Sequence, residues 1–209
     1  LARLFTVDEE VVRLVAGCDV AFDNARRLAF AAIVVLAYPS LEEVERVTVE
    51  TPVAFPYVPG LLSFREVPAL LPAFEQLRRA PDLLMVAGHG YAHPRRFGLA
   101  CHLGLLLDLP AIGVAKSRLI GEHGPVGAGR DARADLVDDG EVIGSLLRTR
   151  EGVKPLYVSV GRRISLATAE RWVLRCARGY RLPAPTRRAD ALSRAAKACR
   201  CRYQMRRGS

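Results

Sequence analysis

At 209 residues, half of them hydrophobic, the chain is long enough for one well-buried core and short for two, so a single domain over residues 1–209 is expected. Its 31 Lys and Arg outnumber 22 Asp and Glu, for a formal charge of +9, a surplus that suits a polyanion such as nucleic acid but also a plain solvated surface. No apolar run approaches the ~18 residues that span a bilayer, and the N-terminus lacks a charged start followed by an apolar stretch, which leaves secretion and membrane anchorage without support. Five cysteines, with no Cys-x-x-Cys pair and no His/Cys cluster at zinc spacing, favour a reducing compartment, so a cytoplasmic location is the expectation; the sequence is silent on oligomeric state, and a monomer is the default.

Val11 to Phe22 reads as an apolar strand, Asp23-Asn24 as a turn and Leu28 to Tyr38 as the second strand of a hairpin. Val44 to Val53 alternates apolar and polar residues and predicts a half-exposed third strand. Pro56, Pro59 and Gly60 make a rigid loop, after which Phe64 to Arg79 has helical spacing, with Pro68 and Pro72 expected to disturb its first turns. Asp82 to Val86 is a short buried strand, Gly88-His89-Gly90 a turn, and Pro94 stands where a helix to about Leu107 would start. Ala111 to Ala115 is another buried strand, so the strands after Asp82 are expected to be parallel and covered by helices on both faces. Gly121 to Arg133 reads as a surface loop. Glu141 to Thr149 and Leu156 to Val160 read as strands, Ser165 caps a helix reaching Arg178, a last helix follows Pro185, and about 200–209 reads as a tail. This order predicts a mixed α/β sheet, an antiparallel meander followed by parallel strands, flanked by helices.

Asp19 interrupts the apolar run Leu14-Val15-Ala16-Gly17-Cys18-Asp19-Val20-Ala21-Phe22. A carboxylate inside a strand is costly unless a cation or a hydrogen-bond donor compensates it, so Asp19 reads as a metal ligand or as an Asp held by a donor. Glu66 lies in Ser63-Phe64-Arg65-Glu66, which is also the pattern of a capping box. Tyr57 sits between two prolines, either exposed as a wedge for a base stack or packed on the core. Glycines in Gly88-His89-Gly90 let backbone amides approach a ligand. Lys116 follows a strand, where a point charge can meet a phosphate or stay solvated. Asp190 is either a helix cap or turned inward.

Five blocks together resemble the endonuclease V family, in the family's order: Gly17-Cys18-Asp19-Val20-Ala21-Phe22, Pro56-Tyr57-Val58-Pro59-Gly60-Leu61-Leu62-Ser63-Phe64-Arg65-Glu66, Gly88-His89-Gly90-Tyr91-Ala92-His93-Pro94-Arg95-Arg96, Ile112-Gly113-Val114-Ala115-Lys116-Ser117-Arg118-Leu119 and Tyr180-Arg181-Leu182-Pro183-Ala184-Pro185-Thr186-Arg187. The resemblance runs from about Val11 to Asp190.

It implies an RNase H-like sheet, carboxylates that hold Mg²⁺ or Mn²⁺, and a DNA repair endonuclease acting on hypoxanthine-containing DNA, with RNA a possible natural substrate. The bond cut is the second phosphodiester 3′ of the lesion, leaving 5′-phosphate and 3′-hydroxyl ends. Asp19 matches the first metal carboxylate, Glu66 and Asp190 further catalytic acids, and Lys116 the lysine beside the scissile phosphate. Tyr57, with Pro56, Val58 and Pro59, matches a wedge that fills the space of a flipped base, while Gly60, Leu62, Gly88 and His93 match positions around the hypoxanthine. The departure is Ala87, which stands where the family pattern has a metal-binding aspartate. The chain is therefore expected to be an impaired nuclease, the runner-up being a non-cutting reader of inosine-containing strands.

Overall fold

The computed structural model of the protein describes residues 11–58 and 60–205, with side chains as far as residue 200. The opening meander forms as the apolar pattern predicts: β1 (Leu14–Asp23), β2 (Leu28–Ala37) and β3 (Glu43–Pro52) pair antiparallel. Asp23 makes the reversal, since its carboxylate accepts the Arg26 amide at 3.1 Å and the Arg26 guanidinium at 2.7 Å, an Asx-type turn that ties side chain to backbone. Interior residues of β2 are buried on both faces, whereas β3 alternates, the mark of a covered central strand beside an edge strand.

The chain then alternates helix and strand. Helix α1 (Leu62–Glu75) leads to β4 (Leu83–Val86), and α2 (Leu99–Leu106) to β5 (Ala111–Ala115), with β4 parallel to both β1 and β5. After β5 the expected parallel order fails. Strands β6 (Glu122–His123), β7 (Arg133–Asp138), β8 (Glu141–Leu147) and β9 (Leu156–Arg162) extend the sheet antiparallel, giving the order β3-β2-β1-β4-β5-β9-β8-β7-β6. No helix lies between Ala115 and Leu156, so the chain has no crossover with which to bring a strand back parallel. Part of the expected loop Gly121 to Arg133 is β6 and the start of β7. Strand β7 escaped prediction because Leu136 is its one fully buried residue.

Three helices also differ from expectation in their boundaries. Helix α1 starts ahead of Phe64, ends at Glu75 and takes both Pro68 and Pro72 into its interior. Helix α2 begins at Leu99 instead of Pro94, because Arg96 adopts a left-handed φ of 52°, which no α-helix continues through. Helix α3 (Leu166–Ala177) is capped as predicted, Ser165 accepting from the Thr168 amide, and α4 starts at Ala184 and runs to Met205, so residues 200–205 are helical and not a tail.

The helices cover both faces. Leu70 and Phe74 of α1, with Leu99 and Leu103 of α2, pack on Cys18, Ile33, Val35 and Leu84. Trp172 and Val173 of α3, with Ala184 and Ala189 of α4, pack on Val15, Val34, Met85 and Ile112. Among the described residues no helix is long and apolar enough to cross a membrane, and the cysteines with described side chains are free thiols.

Candidate active site

The site is built where α4 crosses β1. Gly17 makes this crossing possible, since a Cβ there would lie 2.1 Å from the Pro185 carbonyl carbon, and only glycine permits backbone to approach so closely. Two residues further along β1, Asp19 faces α4 and its Oδ2 accepts from the Ser193 hydroxyl at 2.7 Å. Burial pushes the Asp19 carboxyl above the usual carboxylate range; the Ser193 bond opposes this shift and the neighbouring Asp190 adds to it.

Glu66 projects from the second turn of α1. Ser63 does not cap that helix: Leu61 holds the cap position and no side chain caps it, so Glu66 is free of the capping box. Its side chain is buried, and burial followed by the charge of Asp19 pushes its carboxyl up to about 8. Among the described residues nothing donates a hydrogen bond to this carboxylate. Arg65 opposes the shift only in part, so this buried acid, without a donor and beside a second acid, is left under-compensated.

Asp190 lies inside α4 and turns inward, with Oδ1 3.0 Å from Lys116 Nζ and Oδ2 paired with Arg194. Lys116 is half-exposed just beyond β5, its charge held near the acids and still open to solvent. Ala87 follows β4. Because Cys18 pairs with Val86 and the Ala87 amide reaches the Cys18 carbonyl at 3.3 Å, Ala87 occupies the register position alongside Asp19. A methyl group there offers no ligand. Among the described residues no group of three or more His, Cys, Asp or Glu could hold a metal ion. Asp19 and Glu66 still fit a divalent cation as two oxygen donors, one of them unsatisfied.

The second half of the site is the loop ahead of α1. Tyr57 is 66% exposed, and the neighbouring Pro56 and Val58 are exposed too. The tyrosine is therefore not packed on the core, and Arg65 sits 6.0 Å from its ring centroid while lying 4.2 Å over Phe22. Pro59 falls outside the described residues. Leu61 N–H bonds the Val58 carbonyl at 3.0 Å with Gly60 at φ 75°, a turn that requires glycine. The Gly60 carbonyl accepts from the Arg95 guanidinium at 3.2 Å and also bonds the His93 ring, so the Tyr57 loop and the segment after Gly88 are tied together. His93 is buried and its Nδ1 accepts from the Arg95 amide at 3.2 Å; burial lowers its pKa against the opposing effect of Gly60. Leu62 is half-buried at the start of α1. Gly88 is not demanded by packing, because a Cβ there would make only ordinary contact with Leu99, whereas Gly90 would put one 2.2 Å from the Val160 carbonyl oxygen.

Four residues of this neighbourhood were not singled out from sequence: Ser193 on Asp19, Arg194 on Asp190, Arg65 between Phe22 and Tyr57, and His89, whose Nε2 lies 3.1 Å from the Ser117 carbonyl beside Lys116. Ser193 and Arg194 stand three and four residues after Asp190, the spacing that shares one helix face, and that spacing was the available signal.

The sequence profile of the endonuclease V family matches residues 3–191. An endonuclease V from Gloeobacter violaceus is 54% identical over 191 residues, 90% of this chain and 78% of that protein. The crystal structure of the Streptomyces avermitilis endonuclease V superposes with a TM-score of 0.86 at 46% identity, over 90% of this chain and 82% of that one. That of the Ciona intestinalis enzyme, in complex with a 24mer DNA containing an inosine followed by a ribo-adenosine, does so with a TM-score of 0.83 at 29% identity, over 93% and 91% of the two chains. With that match extending across the acids of β1, α1 and α4, the Tyr57 loop and Lys116, the chain belongs to the endonuclease V family.

Proposed function

We propose that this chain recognises hypoxanthine in a DNA or RNA strand, and that the native chemistry of its site is hydrolysis of the second phosphodiester 3′ of the lesion. In the present chain Ala87 leaves that hydrolysis slow or absent. The observation that carries the reading is the Asp19–Glu66 pair: an acid inside β1 and one on α1, with Glu66 buried, pushed up to about 8 and without a donor, in a chain whose Tyr57 stands exposed on a tethered loop.

Tyr57 supplies the wedge. Extruding a base costs a few kcal/mol, least for a poorly paired one such as hypoxanthine, and stacking on an aromatic ring returns about 1–3 kcal/mol. The exchange is near balance, so selection falls to the groups that meet the extruded base: the backbone at Gly60 and Gly88, the side chain of Leu62, and His93. Gly60 and His93 belong to one hydrogen-bonded knot, in which the Gly60 carbonyl accepts from Arg95 and bonds the His93 ring. Asp19 and Glu66 would hold Mg²⁺ or Mn²⁺; a divalent ion bound there would lower the pKa of water and offset charge developing on the phosphoryl oxygens. To serve as a ligand Glu66 would have to be deprotonated, releasing its proton to solvent. Lys116, held by Asp190 at 3.0 Å, offers its ammonium to the scissile phosphate, and Asp190 keeps that ammonium aligned.

A second reading, a lesion reader without chemistry, is favoured by Ala87 itself. Cleavage of an inosine-containing oligonucleotide in Mg²⁺ by this chain and by its Ala87→Asp variant separates the two. Nicking by the variant one bond beyond the lesion supports the nuclease reading. Binding by both with cleavage by neither supports the reader and removes the roles given to Asp19, Glu66 and Lys116.

A further inference from the structure

A cleft of about 390 Å³ lies between the β1–β2 turn and the Tyr57 loop, lined by Asn24, Arg27, Val53, Phe55, Pro56 and Arg65. Its lining shares no residue with the positions assigned to the extruded base, Gly60, Leu62, Gly88 and His93. Its two cations differ from the other arginines nearby. Arg26 is committed to Asp23, but the exposed side chain of Arg27 has no hydrogen bond or ion pair among the described residues. Its backbone is nonetheless fixed, at φ 55° with its carbonyl accepting from the Val53 amide at 2.7 Å. Arg65 lies over Phe22 and donates to Asn24 Oδ1 at 2.6 Å, while its Nε is buried without a partner. Phe55 forms an apolar wall, supported by Phe64 at 6.0 Å between ring centroids.

The uncommitted guanidinium of Arg27, with the positive charge of Arg65 beside it and an aromatic wall, matches a nucleotide. Arginine forks suit a phosphodiester, and an aromatic face suits an unstacked base of any identity. The cleft ends at Pro56, the residue before Tyr57, so a strand parted by that ring would continue directly into it. We propose that this cleft is a nucleotide subsite for the strand running past Tyr57, with the phosphodiester on Arg27 and Arg65 and a base against Phe55. The inference rests on the nucleic-acid reading above and adds a second grip on the strand, made by residues other than the acids and those assigned to the extruded base.

The test is binding of labelled single strands carrying one inosine, shortened step by step from either end, to the parent chain, Arg27→Ala, Arg27→Glu and Phe55→Leu, across a range of salt concentrations without divalent ions. Arg27→Ala is expected to reduce the slope of log affinity against log salt by about 0.7, the value for one phosphate on a single strand. Arg27→Glu is expected to weaken binding about tenfold or more, the size of one charged hydrogen bond. Phe55→Leu is expected to weaken it about fivefold, the low end for a lost stacking platform. All three losses should disappear on strands shortened from one end only. An unchanged slope in Arg27→Ala overturns the subsite, and so does a loss that persists equally on the shortest strands. Arg27 is exposed, so its variants fold whether or not Phe55→Leu does. Failure of the broader reading shows separately, as a parent chain with no preference for inosine over adenine, and the Arg27→Ala slope decides the subsite on either strand.

Discussion

The Ser193 hydroxyl donates to Asp19 Oδ2 at 2.7 Å across 174 positions of sequence, and this bond exists only because α4 lies directly on β1 at Gly17. A methyl group at Gly17 would sit 2.1 Å from the Pro185 carbonyl carbon and 2.7 Å from the Thr186 nitrogen. Those atoms are backbone and cannot swing aside, so Gly17→Ala must push the start of α4 off the sheet. Overpacking of this kind costs about 1–3 kcal/mol, a fall of roughly 2–12 °C in melting temperature for a chain this size. Gly124→Ala is the control, since a Cβ there meets nothing within 4 Å, and thermal melts of both variants should show a drop at Gly17 alone.

Glu66 makes the ion-free protein sensitive to base. Its carboxyl titrates near 4.5 when unperturbed and at about 8 in the fold, so between those values the folded chain holds a proton that the unfolded chain has released. The contribution is therefore complete below the lower value and is lost as pH rises through the upper one, at up to about 1.4 kcal/mol per pH unit. Glu66→Gln removes the titration. Urea melts in chelator should show a shallower decline for this variant from about pH 5 to pH 9 and greater stability than the parent at the alkaline end, with Asp19 leaving a smaller slope of the same sign.

His89 acts with the opposite sign. Burial lowers its ring to about 4, and the bond to the Ser117 carbonyl opposes that shift. Nδ1 is buried without a partner, so the neutral ring donates from Nε2 and gains nothing from a second proton. The unfolded chain takes that proton near 6.5, so the stability contribution is present above that value and lost as pH falls toward about 4. His89→Gln, which keeps a donor without titrating, should flatten the acid side of the profile; an unchanged acid limb would show that the ring is not held neutral.

What the sequence disclosed and what it concealed follow from the range of the interactions. Asp19 was legible because a carboxylate breaks an apolar run, and the meander was legible because its strands are contiguous and patterned. Glu66 was obscured by a local pattern, Ser63 with Glu66, that imitates a capping box although the helix starts at Leu62. The antiparallel half of the sheet was obscured because β5 and β9 pair across a long separation and because β7 buries so little. The cleft at Arg27 joins a turn, a strand end and a loop that no periodicity connects. Ala87 is visible only against a family pattern; its meaning comes from its register beside Asp19.

That register yields the most discriminating outcome. Ala87→Asp places a third carboxylate next to two whose pKa values are already raised. Without a cation this should cost stability, on the order of 1–3 kcal/mol near neutral pH, because like charges near a buried site repel. With Mg²⁺ or Mn²⁺ the sign should reverse, since a ligand at about a hundred times its dissociation constant stabilises by about 2.7 kcal/mol. The variant should therefore melt below the parent in chelator and above it in divalent ion. If the restored ligand is worth about 3–4 kcal/mol in the transition state, cleavage should rise by roughly two to three orders of magnitude. A variant that melts like the parent under both conditions would mean that position 87 lies outside the metal site, and the slow cleavage assigned to this chain would then need another cause.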